Sequence, residues 1–328
     1  MTGETMHHPV PTTFQAALAG VDPAFMAPFF QVSDADVDPE FALRMAREAG
    51  GAKTEVRAGV GAERRAVPGH PHLTAMVYEP EGRERPGGAL LWLFGGGLFL
   101  GSAEHANDVA SAFASELGAL VVVPDYRLAP ENPCPAAPDD CFATLQWMLT
   151  HAEELGIDPD RIVVGGESAG GGLAATVAQR AHDTGIELRL QVLVAPMLDD
   201  RTVVRAEAEG RVTVSWTVPA NRFAWTSYLG HAPGEPEERP YAVPARRADL
   251  GGLAPAWISV GEIDLFHQES ADYARRLGEA GVACELTTVP GAHHAFELVA
   301  PEHPVVRELR RARVEAMREA LRPVGRVR

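Results

Sequence analysis

From residue 88 onward the chain alternates two textures, and this alternation limits its fold more than any other feature. Short, mostly apolar runs without period-2 alternation fall at 89–94, 120–124, 161–164, 188–194 and 256–260. Between them lie stretches with helical spacing, such as 139–151, 169–182 and 267–280. Continuous apolar runs suit strands buried on both faces, and helices between them supply the crossovers that parallel strands need. The pattern predicts an α/β fold, a three-layer sandwich around a mostly parallel sheet. The run at 285–289 is more polar but β-branched, which suits a strand nearer the sheet edge. Upstream, 73–79 alternates and is expected to pair with 63–67 as an antiparallel edge.

Two segments stand outside this scheme. Residues 1–55 contain Phe14, Phe25, Phe29 and Phe30 and one helical stretch at 39–48, without a convincing strand. Residues 200–245 hold Trp216, Phe223, Trp225 and Tyr228 in a helical or loop-rich context. A pair of helical excursions of this kind can pack together as a lid over a sheet.

Charge and cysteine content narrow the partners. The 29 basic side chains against 45 acidic ones give a net charge of −16, so nucleic acid and anionic membrane surfaces are expected to be repelled. The first ten residues carry no basic stretch followed by an apolar core, and no signal peptide is expected. The longest apolar stretch, 89–100, is interrupted by Gly95, Gly96 and Gly97 and falls short of the roughly 20 residues a membrane helix needs. A soluble, cytoplasmic protein without membrane anchoring is the expectation. Cys134, Cys141 and Cys284 form an odd set without metal-like spacing, so reduced packing thiols are expected, with a Cys134–Cys141 bridge as the alternative.

The sharpest chemical signal is Gly166-Glu167-Ser168-Ala169-Gly170, between an apolar run and a helical stretch. In that setting it predicts a nucleophile elbow, a strained strand-to-helix turn that lifts the serine hydroxyl clear of the backbone. A neutral hydroxyl is a poor nucleophile and needs a base, which in turn needs an orienting group. Gly261-Glu262-Ile263-Asp264 follows one later strand, and Gly291-Ala292-His293-His294 follows the next. Both therefore sit past strand carboxyl ends on the rim that carries Ser168, where open α/β sheets bind ligands. Spacing alone leaves Glu262 as a rival to Asp264, and His293 as a rival to His294. Phe94-Gly95-Gly96-Gly97 closes another strand, and the N–H groups of Gly96, Gly97 and Ala169 are expected to form an oxyanion hole. No Walker-type lysine follows these glycines, and neither a metal nor an organic cofactor is implied.

These motifs, with Asp125-Tyr126-Arg127-Leu128-Ala129-Pro130-Glu131 and Pro290-Gly291-Ala292-His293-His294-Ala295-Phe296, resemble the bacterial hormone-sensitive-lipase-like carboxylesterases of the α/β-hydrolase superfamily. The resemblance spans about 70–320. It implies an α/β-hydrolase fold, a mostly parallel central sheet flanked by helices, with a helical cap built from 1–55 and 200–245 on a core of 56–199 and 246–328. It also places the catalytic histidine at His294 and the acid at Asp264, and implies hydrolysis of short- to medium-chain acyl esters through an acyl-enzyme on Ser168. Homodimers through an edge strand are a further implication. Two positions depart from the family pattern: Phe94 replaces the histidine usual before the three glycines, and Ala295 replaces a glycine. Asp125, Tyr126 and Arg127 are expected to form a buried structural network behind the site, with Glu167 tying down a neighbouring loop. A lactonase, amidase or acyltransferase would use the same residues, and a silent ligand-binding scaffold is the rival from outside enzymology.

Overall fold

The computed structural model describes residues 20–25, 54–206 and 213–323. The helix expected at 39–48, with Phe14, Phe29 and Phe30, lies outside the described residues.

The apolar runs become strands of one sheet. Its members are β1 (Val60–Ala66), β2 (Thr74–Pro80), β3 (Gly87–Leu93), β4 (Leu120–Pro124), β5 (Ile157–Glu167), β6 (Leu190–Val194), β7 (Ala256–Gly261) and β8 (Cys284–Val289). All eight join in the order β1-β2-β4-β3-β5-β6-β7-β8. β2 is antiparallel to both neighbours, and the pairs from β4 through β8 are parallel. Every residue of β3, β4, β6 and β7 is buried, which is why these strands read as unbroken apolar runs. The antiparallel edge forms as expected, with Ala66 opposite Thr74. Half-buried β8 lies at the other edge.

The helices are α1 (Asn107–Leu117), α2 (Ala136–Thr150), the short α3 (Ala152–Leu155), α4 (Ala169–Asp183), α5 (Val218–Leu229), α6 (His267–Glu279), the short α7 (Phe296–Val299) and α8 (Pro304–Ala320). α1 and α8 cover one face of the sheet, where Arg313 lies over the Phe113 ring. α2 and α4 pack on the other face, and α6 is tied to α4 there by Gln179 Nε2, which donates to Tyr273 Oη at 3.2 Å.

Within the excursion after β6, Thr217 caps α5 by accepting from the Ala220 N–H. The root of the excursion is fixed to the core twice. Asp200, wholly buried, takes two hydrogen bonds from Arg246. Glu269 on α6 accepts from the Leu198 N–H at 2.6 Å and from the Thr202 hydroxyl. All three cysteines are free thiols. Among the described residues, no helix is long and apolar enough to cross a membrane.

Candidate active site

β5 ends at Glu167 and α4 begins at Ala169, so the whole reversal falls on Ser168. Its φ of 55° and ψ of −121° lie where a residue with a side chain is strained by about 1–3 kcal/mol. The surroundings enforce this geometry. The Ser168 N–H donates to Val194 at 2.8 Å, and its carbonyl accepts from Gly172 and Met197. The flanking glycines are steric requirements. A Cβ on Gly166 would come within 2.3 Å of the Gly170 carbonyl oxygen, and one on Gly170 within 2.0 Å of the Leu93 carbonyl oxygen.

Ser168 Oγ lies 2.9 Å from His294 Nε2, and His294 Nδ1 lies 2.8 Å from Asp264 Oδ2. A carboxylate only accepts, so Nδ1 carries the hydrogen and Nε2 is left to accept from the serine hydroxyl. Asp264 is 1% exposed, and its second oxygen accepts from the Phe266 N–H at 2.9 Å. The Phe266 ring stands perpendicular to the imidazole, with the two centroids 5.1 Å apart. The rivals are occupied elsewhere. Glu262 accepts from the Gly291 N–H at 2.9 Å and so braces the histidine loop. The ring nitrogens of His293 face two backbone carbonyls. The fold thus brings Ser168, His294 and Asp264 together and turns Glu262 and His293 to other partners.

The glycine loop after β3 runs beside Ser168: a Cβ on Gly95 would sit 3.3 Å from that of Ser168. Gly96 has φ 126° and Gly97 φ 61°, and the Gly96 carbonyl is taken by the N–H groups of Phe99 and Leu100. Among the described residues, no backbone carbonyl accepts from the N–H of Gly96 or Gly97. Ala169 opens α4, where an N–H has no partner within its own helix. The three expected donors therefore lie on two elements that converge at Ser168.

The departure at Phe94 has a physical resolution. Its ring stacks on Tyr126, centroids 4.1 Å apart and planes 11° from parallel. Tyr126 Oη donates to the Phe94 carbonyl at 2.7 Å, and burial pushes that phenol well up, which keeps it a donor. Packing and one hydrogen bond thus brace the loop. Phe94→Ala is expected to lower stability by about 3–5 kcal/mol, measured by denaturant unfolding. A loss within about 0.5 kcal/mol would mean that the ring does not anchor the loop.

Of the motif next to Tyr126, Asp125 accepts from the Ala103 N–H and Arg127 pairs with buried Asp140, so both serve structure, although each is only half-buried. Glu167 rests against the glycine loop, its Cγ 3.4 Å from where a Cβ on Gly95 would be. Burial, and then the nearby Glu297, push its carboxyl up.

An aromatic wall stands beside His294. Trp216 lies 6.2 Å from His294 and 6.5 Å from Phe266, and Phe99 bridges Trp216 to Phe223. Phe99 and Phe266 join this wall from the core. Nothing local in the sequence sets them apart from packing aromatics, because what places them is the meeting of segments distant in the chain.

With this geometry in hand, the comparisons with known proteins agree. A sequence-family model described as alpha/beta hydrolase fold matches residues 90–298. Carboxylesterase NlhH of Mycobacterium tuberculosis is 35% identical over 251 residues, covering 71% of this chain and 73% of that protein. Ethyl acetate hydrolase of Pseudomonas putida is 35% identical over 239 residues, covering 68% and 71%. Among solved structures, a bacterial heroin esterase superposes with a TM-score of 0.84 at 35% identity, covering 93% of this chain and 99% of the other.

Proposed function

Because the chain belongs to the bacterial hormone-sensitive-lipase-like carboxylesterases of the α/β-hydrolase fold, we propose that Ser168, His294 and Asp264 are its nucleophile, base and orienting acid. The chain is an ester-cleaving serine hydrolase. The observation that carries the assignment is the relay of 2.9 Å and 2.8 Å contacts hung on a strained elbow.

Ser168 Oγ attacks the ester carbonyl as His294 Nε2 takes its proton. Asp264, bonded to Nδ1, holds the ring and stabilises the imidazolium. The negative charge on the carbonyl oxygen is met by the N–H groups of Gly96, Gly97 and Ala169. One such donor is worth about 2.7–4 kcal/mol in hydrolases. Collapse expels the alcohol, which leaves with the proton from His294, and the acyl group stays on Ser168. Water then attacks the acyl carbonyl, His294 takes the water's proton, and the carboxylic acid departs as Ser168 is regenerated.

The wall of Trp216, Phe99, Phe223 and Phe266 suits an apolar acyl group, and the family resemblance points to one of short to medium length. The ethyl acetate named for the Pseudomonas relative falls within that range. Residues 200–245 would form part of a cap over this pocket. A p-nitrophenyl ester series from acetate to laurate, run beside Ser168→Ala, tests the assignment. Turnover is expected to peak among the shorter chains and to fall at least about 10³-fold in the folded variant. Turnover retained by Ser168→Ala would remove that residue from the mechanism.

A further inference from the structure

The histidine beside the base has no task in ester hydrolysis, yet it is wholly buried, at 0% exposure. His293 Nδ1 lies 2.6 Å from the carbonyl oxygen of His294, and Nε2 lies 3.2 Å from that of Phe25. The neutral ring donates to one of these carbonyls and the imidazolium to both. Phe25 belongs to the N-terminal segment 20–25, which grips the histidine loop at two more points. The Asp22 N–H donates to the Gly291 carbonyl at 3.0 Å. The Phe25 ring, 1% exposed, meets Phe296 edge-on at 5.3 Å and His303 at 5.2 Å. One short segment therefore holds the loop on both sides of His294, by the backbone of Gly291 and by the ring of Phe296.

The loop has a reason to need that hold. Ala295, directly after His294, sits at φ 61° and ψ 23°, a left-handed conformation that a residue with a Cβ adopts at a cost of about 1–2 kcal/mol. Such strain persists where the surroundings over-determine the backbone. Here the surroundings include a segment from the far end of the chain.

We propose that His293 is a positioning residue: by bridging the carbonyls of His294 and Phe25, it makes the seating of residues 20–25 part of what holds the base in line with Ser168. This rests on His294 being the base. The coupling runs through backbone placement, and small displacements of a catalytic group lower kcat steeply without altering substrate binding.

The test uses the full chain, with folding of each variant checked by circular dichroism. His293→Leu offers no donor and is expected to lower kcat about tenfold with KM within about twofold, whereas His293→Gln, which keeps an N–H, recovers most of the loss. Phe25→Ala should lower kcat in the same way, and combining it with His293→Leu should add little, because both break one link. Parental kcat in His293→Leu, equal losses in the Leu and Gln variants, or losses that multiply in the double variant would each overturn the proposal. If His293→Leu does not fold, Ala295→Gly decides. By relieving the left-handed strain it should restore most of the kcat lost in Phe25→Ala, and no restoration would overturn the proposal. His294→Ala separates the two levels: parental turnover there would remove the base assignment itself. An inactive His294→Ala alongside an unimpaired His293→Leu would remove only the role of His293.

Discussion

His294→Ala is expected to lower kcat by about 10⁴-fold or more while the protein keeps its fold. The imidazole is bonded to both Ser168 Oγ and the Asp264 carboxylate, at 2.9 Å and 2.8 Å. On the proposed assignment, the hydroxyl would then lack its base and the leaving alcohol its acid. His294 is 7% exposed and sits on the loop after β8, outside the strands and helices of the sheet's core, so its removal is expected to leave the fold intact. KM should move little, because the aromatic wall that would contact the acyl group stays in place. Steady-state kinetics on a p-nitrophenyl ester reads both constants. A His294→Ala enzyme within about tenfold of the parent would mean that the base is another residue.

The second large effect is on the fold. Gly170→Ala would place a Cβ 2.0 Å from the Leu93 carbonyl oxygen and 2.4 Å from that of Phe94. Both obstacles are backbone atoms at the end of β3, which cannot rotate aside as a side chain would. Either α4 must lift off the sheet or the elbow must open, and both changes move Ser168. A destabilisation beyond about 3 kcal/mol is expected, with activity lost in the protein that does fold. Gly278→Ala is the internal control. It lies within α6 with nothing within 4 Å of the added Cβ, so the same substitution should stabilise by about 0.5–1 kcal/mol. Urea unfolding of the two variants compares these signs directly. A Gly170→Ala protein as stable as the parent would contradict the close helix–strand approach at the elbow.

The sheet was legible where burial makes it so. The run at 120–124 is β4 and the run at 256–260 is all but the last residue of β7, because a strand covered on both faces leaves an unbroken apolar signature. β5 is longer than its apolar run at 161–164. It begins at Ile157 and passes through Asp158, Pro159 and Asp160, where its pairing with β3 shifts register. α8 carries a narrow buried stripe of Val306, Leu309, Val314 and Met317 among arginines and glutamates, a pattern that charge content masks.

The site divides in the same way. The elbow was readable because its chemistry is local: a serine between glycines at a strand-to-helix junction. Choosing His294 over His293, or Asp264 over Glu262, needed either family resemblance or geometry, since neighbouring residues share their spacing. Phe94 was legible as a departure and Tyr126 as part of a structural network, but the contact that joins the two, and the link from His293 to Phe25, had no signal. Each joins residues far apart in the chain, 32 positions in the first case and 268 in the second.

The central claim is that Ser168 becomes covalently acylated with help from His294. It is tested most directly by treating the parent, Ser168→Ala and His294→Ala with diethyl p-nitrophenyl phosphate, followed by intact mass and peptide mapping. The predicted result is a single diethylphosphoryl adduct on the Ser168 peptide of the parent, none in Ser168→Ala, and much slower labelling in His294→Ala. An adduct on any other residue, or equal labelling of the parent and Ser168→Ala, would contradict it.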